Sequence, residues 1–392
     1  MPQENLKTDR FPLVRTIETS AFEWLTSKRD KDGFSKITKY GVELATSKGD
    51  YRESNQDLVA FFYVSDQSYA RSPLAAVVVA DGMGGMQDGD LASSLAISAF
   101  IAFLSSGKAS VGLKSLLVAA TLYANQRVHE KLKGAGGSTL SAILYGKQGA
   151  IGLNVGDSRI YAVEKHSLRR LTLDDTLGEQ FRHYRGKSAE EDSYQDNRLV
   201  QFIGIGPVLE PHVIDLSTAV NDNSSRHFLL STDGAHCIGD EMIKGLLKAG
   251  LPVTKLASNL VDISRRCGST DNSSVILAPE RIDFGTLPKS VREITLDIPA
   301  SSFQMLLLND LDNDTHNRNH KTYIPASAEA DIPTNAGHDD KQNDNVVKSQ
   351  NEPPSKPAKR TRKKEKRATT LQNQIVLELI EPKSNDITED SN

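Results

Sequence analysis

Four aspartates, each beside turn-forming residues, are the side chains of this sequence that could act together in chemistry. They are Asp57 at the end of RESNQD, Asp81 in DGMGG, Asp233 in STDG and Asp271 in STDN. Carboxylate oxygens are the ligands that hard divalent cations prefer, and neighbouring glycines let backbone atoms approach an ion closely. Together the four strings predict one cation site in a metal-dependent hydrolase.

The flanking residues place these aspartates at the ends of predicted strands. DGMGG follows the apolar run LAAVVVA and STDG follows HFLL, so Asp81 and Asp233 should lie at strand tips. STDN precedes SSVILA, which puts Asp271 just before a strand, where Asn272 and Ser273 can orient it through local hydrogen bonds. An ordinary Asp-Gly turn is the alternative for Asp81, although a hairpin turn does not need three glycines in four positions.

Two further residues are candidates for the same site. Arg52 stands five residues before Asp57, and its planar guanidinium can bind a phosphate whose other oxygens engage the cation. Asp157, in NVGDSRIYAV, follows a predicted strand and lies between Gly156 and Ser158. An ordinary surface arginine is the alternative for Arg52, and a hairpin turn explains Asp157 equally well.

The elements that must position these residues are short strands and a few helices. Runs with strand character include VELAT, LVAFFYV, LAAVVVA, STLSAILYG, AIGLNVG, RIYAV, HFLLST and SSVILA. Helical periodicity predicts helices over 91–104, 113–132, 240–247 and 253–267. Because the strands come in groups rather than alternating strictly with helices, the sequence predicts an α+β fold in which sheets are flanked by helices.

Composition restricts the classes of protein that remain. The chain has 392 residues, a formal net charge of −4 and 38% apolar residues, so overall charge implies neither a nucleic-acid nor a membrane role. The N-terminus has no apolar signal-peptide core, and no run of about eighteen apolar residues is evident. Cys237 and Cys267 form no CxxC pair, so we expect free thiols in a cytoplasmic protein.

The ends of the chain differ in amino-acid composition from its middle. Residues 311–370 are rich in Asn, Asp, Lys, Pro and Ser, a composition typical of a disordered linker. Eight basic residues and one acidic residue lie in 356–367, which indicates either a solvated tether or a patch for an acidic partner or nucleic acid. The strand-like segments VREITLDIP, at 291–299, and QIVLELIEP could pair with each other or add to a partner's sheet.

These boundaries divide the chain into five parts. The predicted organisation is an N-terminal arm or short helix (1–36), a catalytic domain (37–280), a short β-like extension (281–310), a disordered basic linker (311–370) and a C-terminal tail with one strand-like segment (371–392).

The order of the strings resembles a known family. RESNQD, VVVADGMGG, GSTL, NVGDSRIYAV, LTLDD, FLLSTDG and STDNSSVIL follow one another as the motifs of the metal-dependent type 2C serine/threonine protein phosphatases do, particularly in their bacterial branch. The resemblance covers about residues 38–280. It implies a central antiparallel β-sandwich flanked by helices on both faces, a four-layer αββα architecture, with a substrate flap at about 176–215.

The resemblance also implies roles for individual residues. It makes four aspartates and one backbone carbonyl the ligands of two Mg²⁺ or Mn²⁺ ions, and it makes Arg52 the phosphate-binding residue. It implies that a hydroxide bridging the metals attacks phosphorus without a covalent intermediate. The implied metal ligands are Asp57, Asp81, Gly82 through its backbone, Asp233 and Asp271, with Asp157 at a third metal position.

Several positions depart from the family pattern. Met83 stands where many members carry a histidine that is a proposed general acid, so His129 and His236 are the substitutes to consider. Cys237 stands where an acidic companion of Asp157 is usual, which puts the third metal site in doubt. Asp175 occupies the position of the histidine in LTxDH, and no catalytic role follows from it.

The expected function is hydrolysis of phosphoserine and phosphothreonine in proteins, opposing a serine/threonine kinase, in the cytoplasm. The expected partners are phosphorylated proteins, together with a partner for the basic C-terminal arm; neither a membrane nor nucleic acid is expected. The alternative is a pseudophosphatase, a module that binds phosphoproteins or nucleates an assembly. Retention of Arg52 and the four aspartates favours the enzyme, whereas Met83 and Cys237 keep the alternative open.

Overall fold

Two antiparallel sheets and seven helices make up the described part of the chain. The computed structural model describes residues 10–28, 32–65, 73–83, 88–106, 112–147, 149–164, 167–185, 196–216, 227–284 and 291–308. The strands are β1 (Gly33–Ile37), β2 (Val42–Ser47), β3 (Asp57–Ser65), β4 (Leu74–Met83), β5 (Gly137–Ser138), β6 (Leu140–Gly146), β7 (Gly149–Val155), β8 (Arg159–Glu164), β9 (Ser167–Arg170), β10 (His212–Asp215), β11 (His227–Ser231), β12 (Ser273–Pro279), β13 (Val291–Ile298) and β14 (Ser301–Leu308). The helices are α1 (Arg10–Lys28), α2 (Gly89–Ser106), α3 (Leu113–Leu132), α4 (Leu177–Arg185), α5 (Asp233–His236), α6 (Asp240–Lys248) and α7 (Leu256–Arg266), with a 3₁₀ turn at Val253–Lys255.

The strands form a sandwich of two sheets. The first sheet has the order β1-β2-β12-β11-β8-β9, and the second has the order β10-β7-β6-β4-β3-β13-β14, with β5 paired to β4. Neighbouring strands pair antiparallel, as β2 does with β12 and β3 with β4. This architecture confirms the predicted α+β class and the β-sandwich that the family resemblance implied.

Three hydrophobic cores separate four layers. Side chains of the second sheet pack against α1, α2 and α3 in one outer core. The two sheets pack face to face in the middle core, and the first sheet packs against α6 and α7 in the other outer core. Adjacent residues of β3 point to different cores, Phe61 to the middle one and Phe62 to the helical one. Because β3 is covered on both faces, its sequence is a continuous apolar run rather than an alternating one.

Helix α2 lies at the centre of the helical layer. By length and composition it could cross a membrane, contrary to the expectation from the sequence, but 78% of its span is buried inside the fold. The helix contacts α1, α3 and β4, and a helix that is apolar on most faces is typical of the core of a layered protein. The helices predicted over 91–104, 113–132, 240–247 and 253–267 are confirmed as α2, α3, α6 and α7, whereas α4 and the four-residue α5 were not predicted.

Segments on both sides of the predicted catalytic domain belong to the same compact unit. Helix α1 buries Ile17 and Leu25 in the helical core, whereas the sequence predicted an N-terminal arm or short helix there. Strands β13 and β14 extend the second sheet beyond β3, and the rings of Trp24 and Phe303 lie 5.5 Å apart between centroids. The N-terminal segment is therefore a helix of the outer layer, packed mainly against α2 and also against the sheet extension.

The pairing hypothesis for 291–299 is wrong. Strand β13 pairs with β3 on one side and with β14 on the other, so both of its edges are occupied within the fold. The segment QIVLELIEP, the basic residues 356–367 and the linker predicted over 311–370 lie outside the described residues.

We expect Leu25→Ala to lower the free energy of unfolding by about 2–5 kcal/mol, because the leucine side chain is fully buried between α1 and the rest of the helical core. Urea unfolding would measure the change. Glu23→Ala, at an exposed position of the same helix, is the matched control and should change stability little. Equal stability of the two variants would contradict the placement of α1 in the core.

Candidate active site

The predicted aspartates lie at one end of the β-sandwich. Asp57 is the first residue of β3 and lies directly opposite Asp81 of β4 in the antiparallel register. Asp233 follows β11 and begins the short helix α5, and Asp271 lies two residues before β12. The second sheet thus contributes two aspartates and the first sheet contributes the other two.

Burial and mutual repulsion raise the pKa values of these carboxyl groups. Burial raises the pKa of Asp57 to about 7, and the charges of Asp233 and Asp271 act in the same direction. The pKa of Asp81 is well above its usual value through burial and the charges of Asp57 and Asp233. Burial and Asp271 raise the pKa of Asp233, against a hydrogen bond with Asp81 that lowers it. The four side chains therefore lie close enough to repel one another in a poorly solvated place.

The residues present fit divalent cations in their donor chemistry. One carboxylate oxygen of Asp233, Oδ1, is buried without a hydrogen-bond partner, and a buried unsatisfied oxygen is costly unless a ligand satisfies it. The donors are all oxygens, as Mg²⁺ and Mn²⁺ prefer. Within the residues that the structure describes, no three His, Cys, Asp or Glu side chains are already arranged to hold one ion.

A hydroxyl group directly after strand β11 orients Asp57. Thr232 Oγ1 donates a 2.7 Å hydrogen bond to Asp57 Oδ2, and the backbone N–H of Ser274 donates to Thr232 Oγ1 at 3.0 Å. Thr232 is completely buried, so this chain of hydrogen bonds has one geometry. Thr232 was missed by the sequence analysis, although it is the residue before Asp233 in STDG.

The backbone of Asp81 is held by Ser138 and Thr139, which lie in the string GSTL. Thr139 Oγ1 accepts a 2.9 Å hydrogen bond from the Asp81 N–H, and the Thr139 N–H donates to the Asp81 carbonyl at 2.8 Å. Ser138 Oγ also donates to that carbonyl, at 3.0 Å, and Thr139 Oγ1 pairs with Ser158 Oγ at 2.7 Å. Residues of two motif strings, GSTL and NVGDSRIYAV, therefore fix the position of one predicted ligand.

Gly82 lies where only glycine fits. A Cβ on this residue would come within 1.9 Å of the Gly89 carbonyl oxygen at the start of α2. Its N–H donates a 3.2 Å hydrogen bond to the carbonyl of Gln56, beside Asp57. The close contact joins the ends of β4 and α2 to the Asp57 strand. The role of Gly82 as a backbone metal ligand stays a prediction.

Arg52 lies on the loop between β2 and β3 and points to the aspartates. Its Nη2 donates a 2.5 Å hydrogen bond to Asp271 Oδ2. This bond and the charges of Asp271 and Asp81 raise the pKa of Arg52. Nearly half of its side chain, 48%, is exposed, so the guanidinium forms the solvent side of the site.

Asp157 lies in the connection between β7 and β8. Strand β7 belongs to the second sheet and β8 to the first, so the hairpin explanation is wrong and the chain crosses between sheets at this point. Burial raises the pKa of Asp157 to about 7, with a contribution from the charge of Asp233. Arg159, two residues on, is paired with Asp174 at 2.8 Å. Cys237 Sγ lies 3.1 Å from the carbonyl of Gly234.

The substitutes considered for the missing histidine contact other groups. His129 Nδ1 lies 2.9 Å from the carbonyl of Gly204, and so it holds the flap segment. His236 is buried with Nδ1 3.0 Å from Ser231 Oγ, and burial keeps its pKa well below the usual range. Neither bond places the ring against the predicted metal ligands, so both residues are structural.

Asp175 has a structural role that the sequence did not indicate. Its Oδ2 accepts a 2.9 Å hydrogen bond from the N–H of Gly156, and its Oδ1 lies 2.8 Å from His212 Nε2. Its carbonyl accepts from the N–H of Val200 at 2.8 Å. The residue thus ties the turn that carries Asp157 to the predicted flap.

Comparison with known proteins identifies the family. A family profile described as protein phosphatase 2C matches residues 48–270, which is more than half of the chain. The chain belongs to the protein phosphatase 2C family. As a member, it is an enzyme of the protein phosphatase type.

Curated relatives of this phosphatase come from several bacteria. It is 28% identical over 251 residues to the serine/threonine phosphatase stp of Listeria monocytogenes, covering 60% of this chain and 94% of that one. It is 27% identical over 246 residues to protein phosphatase PhpP of Streptococcus pneumoniae, covering 60% of this chain and 96% of the relative.

Solved structures show the same fold. The phosphatase aligns with serine/threonine phosphatase Stp1 from Staphylococcus aureus at a TM-score of 0.53 and 22% identity, covering 62% of this chain and 96% of that one. It aligns with the serine/threonine phosphatase of S. agalactiae at a TM-score of 0.52 and 21% identity, covering 62% and 99%. Both alignments concern the fold.

We expect the metal-free phosphatase to lose stability at this site as pH rises from about 4 to 7. In that window the folded Asp57 retains a proton that the unfolded chain has released, so the folded state binds more protons and the free energy of unfolding falls with pH. Asp57→Asn removes this titration. Relative to wild type, the variant should gain about 1.4 kcal/mol for each unit of pKa shift across the window.

Urea unfolding in the presence of a chelator would measure both proteins at each pH. Asp262→Asn, on the exposed side of α7, is the control and should follow the wild-type profile. A stability difference between Asp57→Asn and wild type that stays constant or shrinks with rising pH would contradict the raised pKa.

Proposed function

We propose that this chain is a divalent-metal-dependent phosphatase that hydrolyses phosphoserine and phosphothreonine in proteins. One observation carries the proposal: Arg52, a phosphate-binding type of side chain, meets Asp271 at the edge of a cluster of buried, mutually repelling carboxylates. An arginine and four carboxylates around one cleft can take a phosphate dianion only if cations offset the negative charge.

Asp57, Asp81, Asp233, Asp271 and the carbonyl of Gly82 would hold the cations, and Asp157 stands beside them. Two Mg²⁺ or Mn²⁺ ions at these ligands would lower the pKa of an attacking water and neutralise charge that develops on the phosphoryl group. The orphaned Oδ1 of Asp233 supports this assignment. A third ion has weaker support, because the neighbouring Cys237 directs its thiol to the Gly234 carbonyl instead.

Arg52 orients the substrate phosphate. A guanidinium has five N–H donors in a plane, and the hydrogen bond to Asp271 uses Nη2, so donors remain for phosphate oxygens. Partial exposure of the side chain lets a phosphoprotein reach it from solvent. Arg52 therefore fixes the phosphoryl group over the carboxylate cluster, and it offsets charge on the oxygens that do not face the cations.

The serine or threonine leaving group takes its proton from water in this proposal. Met83 has no acidic proton, and His129, His212 and His236 contact other partners. Direct hydrolysis also requires no cysteine nucleophile. Among the described residues no side chain is positioned as a general acid, so catalysis should depend strongly on the cations, since proton transfer by a side chain contributes only part of the acceleration.

The names of the relatives support a proposal for the substrates, and cysteine chemistry supports one for the location. The matched bacterial proteins are named as serine/threonine phosphatases, and we infer phosphoprotein substrates produced by a serine/threonine kinase. Cys237 and Cys267 are free, which supports the proposed cytoplasmic location because free exposed thiols persist in reducing compartments.

We expect purified protein to hydrolyse p-nitrophenyl phosphate and a phosphothreonine peptide when Mn²⁺ is added, and a chelator to abolish the reaction. Asp233→Asn should lower kcat roughly 100-fold or more, because it weakens a ligand that helps neutralise the transition state. Asp262→Asn on the surface of α7 is the charge-matched control. Wild-type protein that binds Mn²⁺ and phosphopeptide without turnover would support the pseudophosphatase instead.

A further inference from the structure

Arg52 lies on a loop that has no regular secondary structure of its own. The loop runs from Lys48 to Gln56, between the end of β2 and the start of β3. A flexible arginine on such a loop would lose conformational freedom each time it bound a phosphate. The position of Arg52 therefore depends on whatever holds the loop backbone.

One buried side chain from a distant part of the sequence holds this loop. Asn272 Oδ1 accepts a 2.8 Å hydrogen bond from the N–H of Gln56, and its Nδ2 donates to the carbonyls of Lys48 at 2.8 Å and Ser54 at 3.1 Å. Asn272 is 2% exposed. The amide of Asn272 thus bonds to three points of the Arg52 loop. Its two N–H groups donate to the first residue and to the interior of the loop, and its oxygen accepts from the last residue.

Close backbone contacts fix Asn272 itself. A Cβ on Gly234 would come within 2.0 Å of the Asn272 carbonyl oxygen, and a Cβ on Gly49, which has φ +77°, would come within 2.8 Å of the Asp271 carbonyl oxygen. The asparagine backbone is therefore held between α5 and the loop that its side chain anchors. Few other side chains offer two N–H donors and an acceptor at this length.

We propose that Asn272 is the positioning residue for Arg52 and sets the affinity of the site for phosphate. This inference rests on the proposed phosphatase function. Asn272 does not touch the substrate; it acts through the loop, by holding Arg52 where the guanidinium meets both Asp271 and an incoming phosphate. Its effect should appear in phosphate binding and KM, with a smaller effect on kcat.

The test is a double-mutant cycle between Asn272→Ala and Arg52→Ala. Calorimetric titration of the Mn²⁺-loaded full-length protein with inorganic phosphate should show Kd raised roughly tenfold by Asn272→Ala, the loss of about one well-placed hydrogen bond. In the Arg52→Ala background the same change should add nothing, because the side chain through which it acts is gone. KM for p-nitrophenyl phosphate should rise in parallel with Kd.

Asn125→Ala is the matched control, since Asn125 is also a buried asparagine that bonds loop backbone, at Gly204 and Gly206. Hydrogen–deuterium exchange should become faster at residues 48–56 in Asn272→Ala but not in Asn125→Ala. If Asn272→Ala does not fold, Asn272→Ser, which keeps one short donor and acceptor, serves in the same cycle with a smaller expected change.

Three results would overturn the proposal. One is an unchanged phosphate Kd in a folded Asn272 variant, and another is an equal loss of affinity in the wild-type and Arg52→Ala backgrounds. The third is a change confined to Mn²⁺ half-saturation, which would mean that Asn272 acts on Asp271 instead. Phosphate binding is measured without turnover. A wild-type protein that lacked activity would therefore refute the proposed function, and the double-mutant cycle would still test whether Asn272 positions Arg52.

Discussion

Repulsion between buried aspartates is the constraint on which the rest of the structure depends. Asp57, Asp233 and Asp271 each raise the pKa of a neighbouring aspartate, in a place where water screens little of their charge. An unsupported chain would relieve that repulsion by moving the side chains apart. The fold prevents this because the aspartates stand at strand ends whose positions are fixed by strand register, by the middle core and by hydrogen bonds from outside their own strands.

Those hydrogen bonds join parts of the chain that are far apart in sequence. Thr139 fixes the backbone of Asp81 from 58 residues away, Thr232 orients Asp57 across 175 residues, and Asn272 reaches the Arg52 loop across 216. The motif strings therefore support one another through hydrogen bonds. A network of this kind is rigid when complete, because its buried donors and acceptors bond within the protein and have no alternative in water.

Much of this could be predicted from sequence, for identifiable reasons. The residue patterns over 91–104, 113–132, 240–247 and 253–267 indicated α2, α3, α6 and α7. Strand-end positions indicated the aspartates, and the spacing from Asp57 indicated Arg52. The membership of α1 in the core was missed because its apolar side chains are buried mainly against α2, a helix far along the chain whose position the local pattern does not reveal. The crossing of the chain at Asp157 was left undecided, since a turn residue does not reveal which sheets its two strands join. The sequence could not predict the roles of Thr232, Thr139 and Asn272, because the groups to which they bond lie far away along the chain.

The two sheets share the site equally, and that has a consequence for evolution of the interior. Asp57 and Asp81 move with one sheet, whereas Asp233 and Asp271 move with the other. The middle core, with Phe61, Val77 and Phe228 among its side chains, sets the spacing of the sheets. Bulk added or removed there would shift one pair of aspartates relative to the other. Selection on the geometry of the aspartate cluster can therefore operate through apolar residues of the middle core.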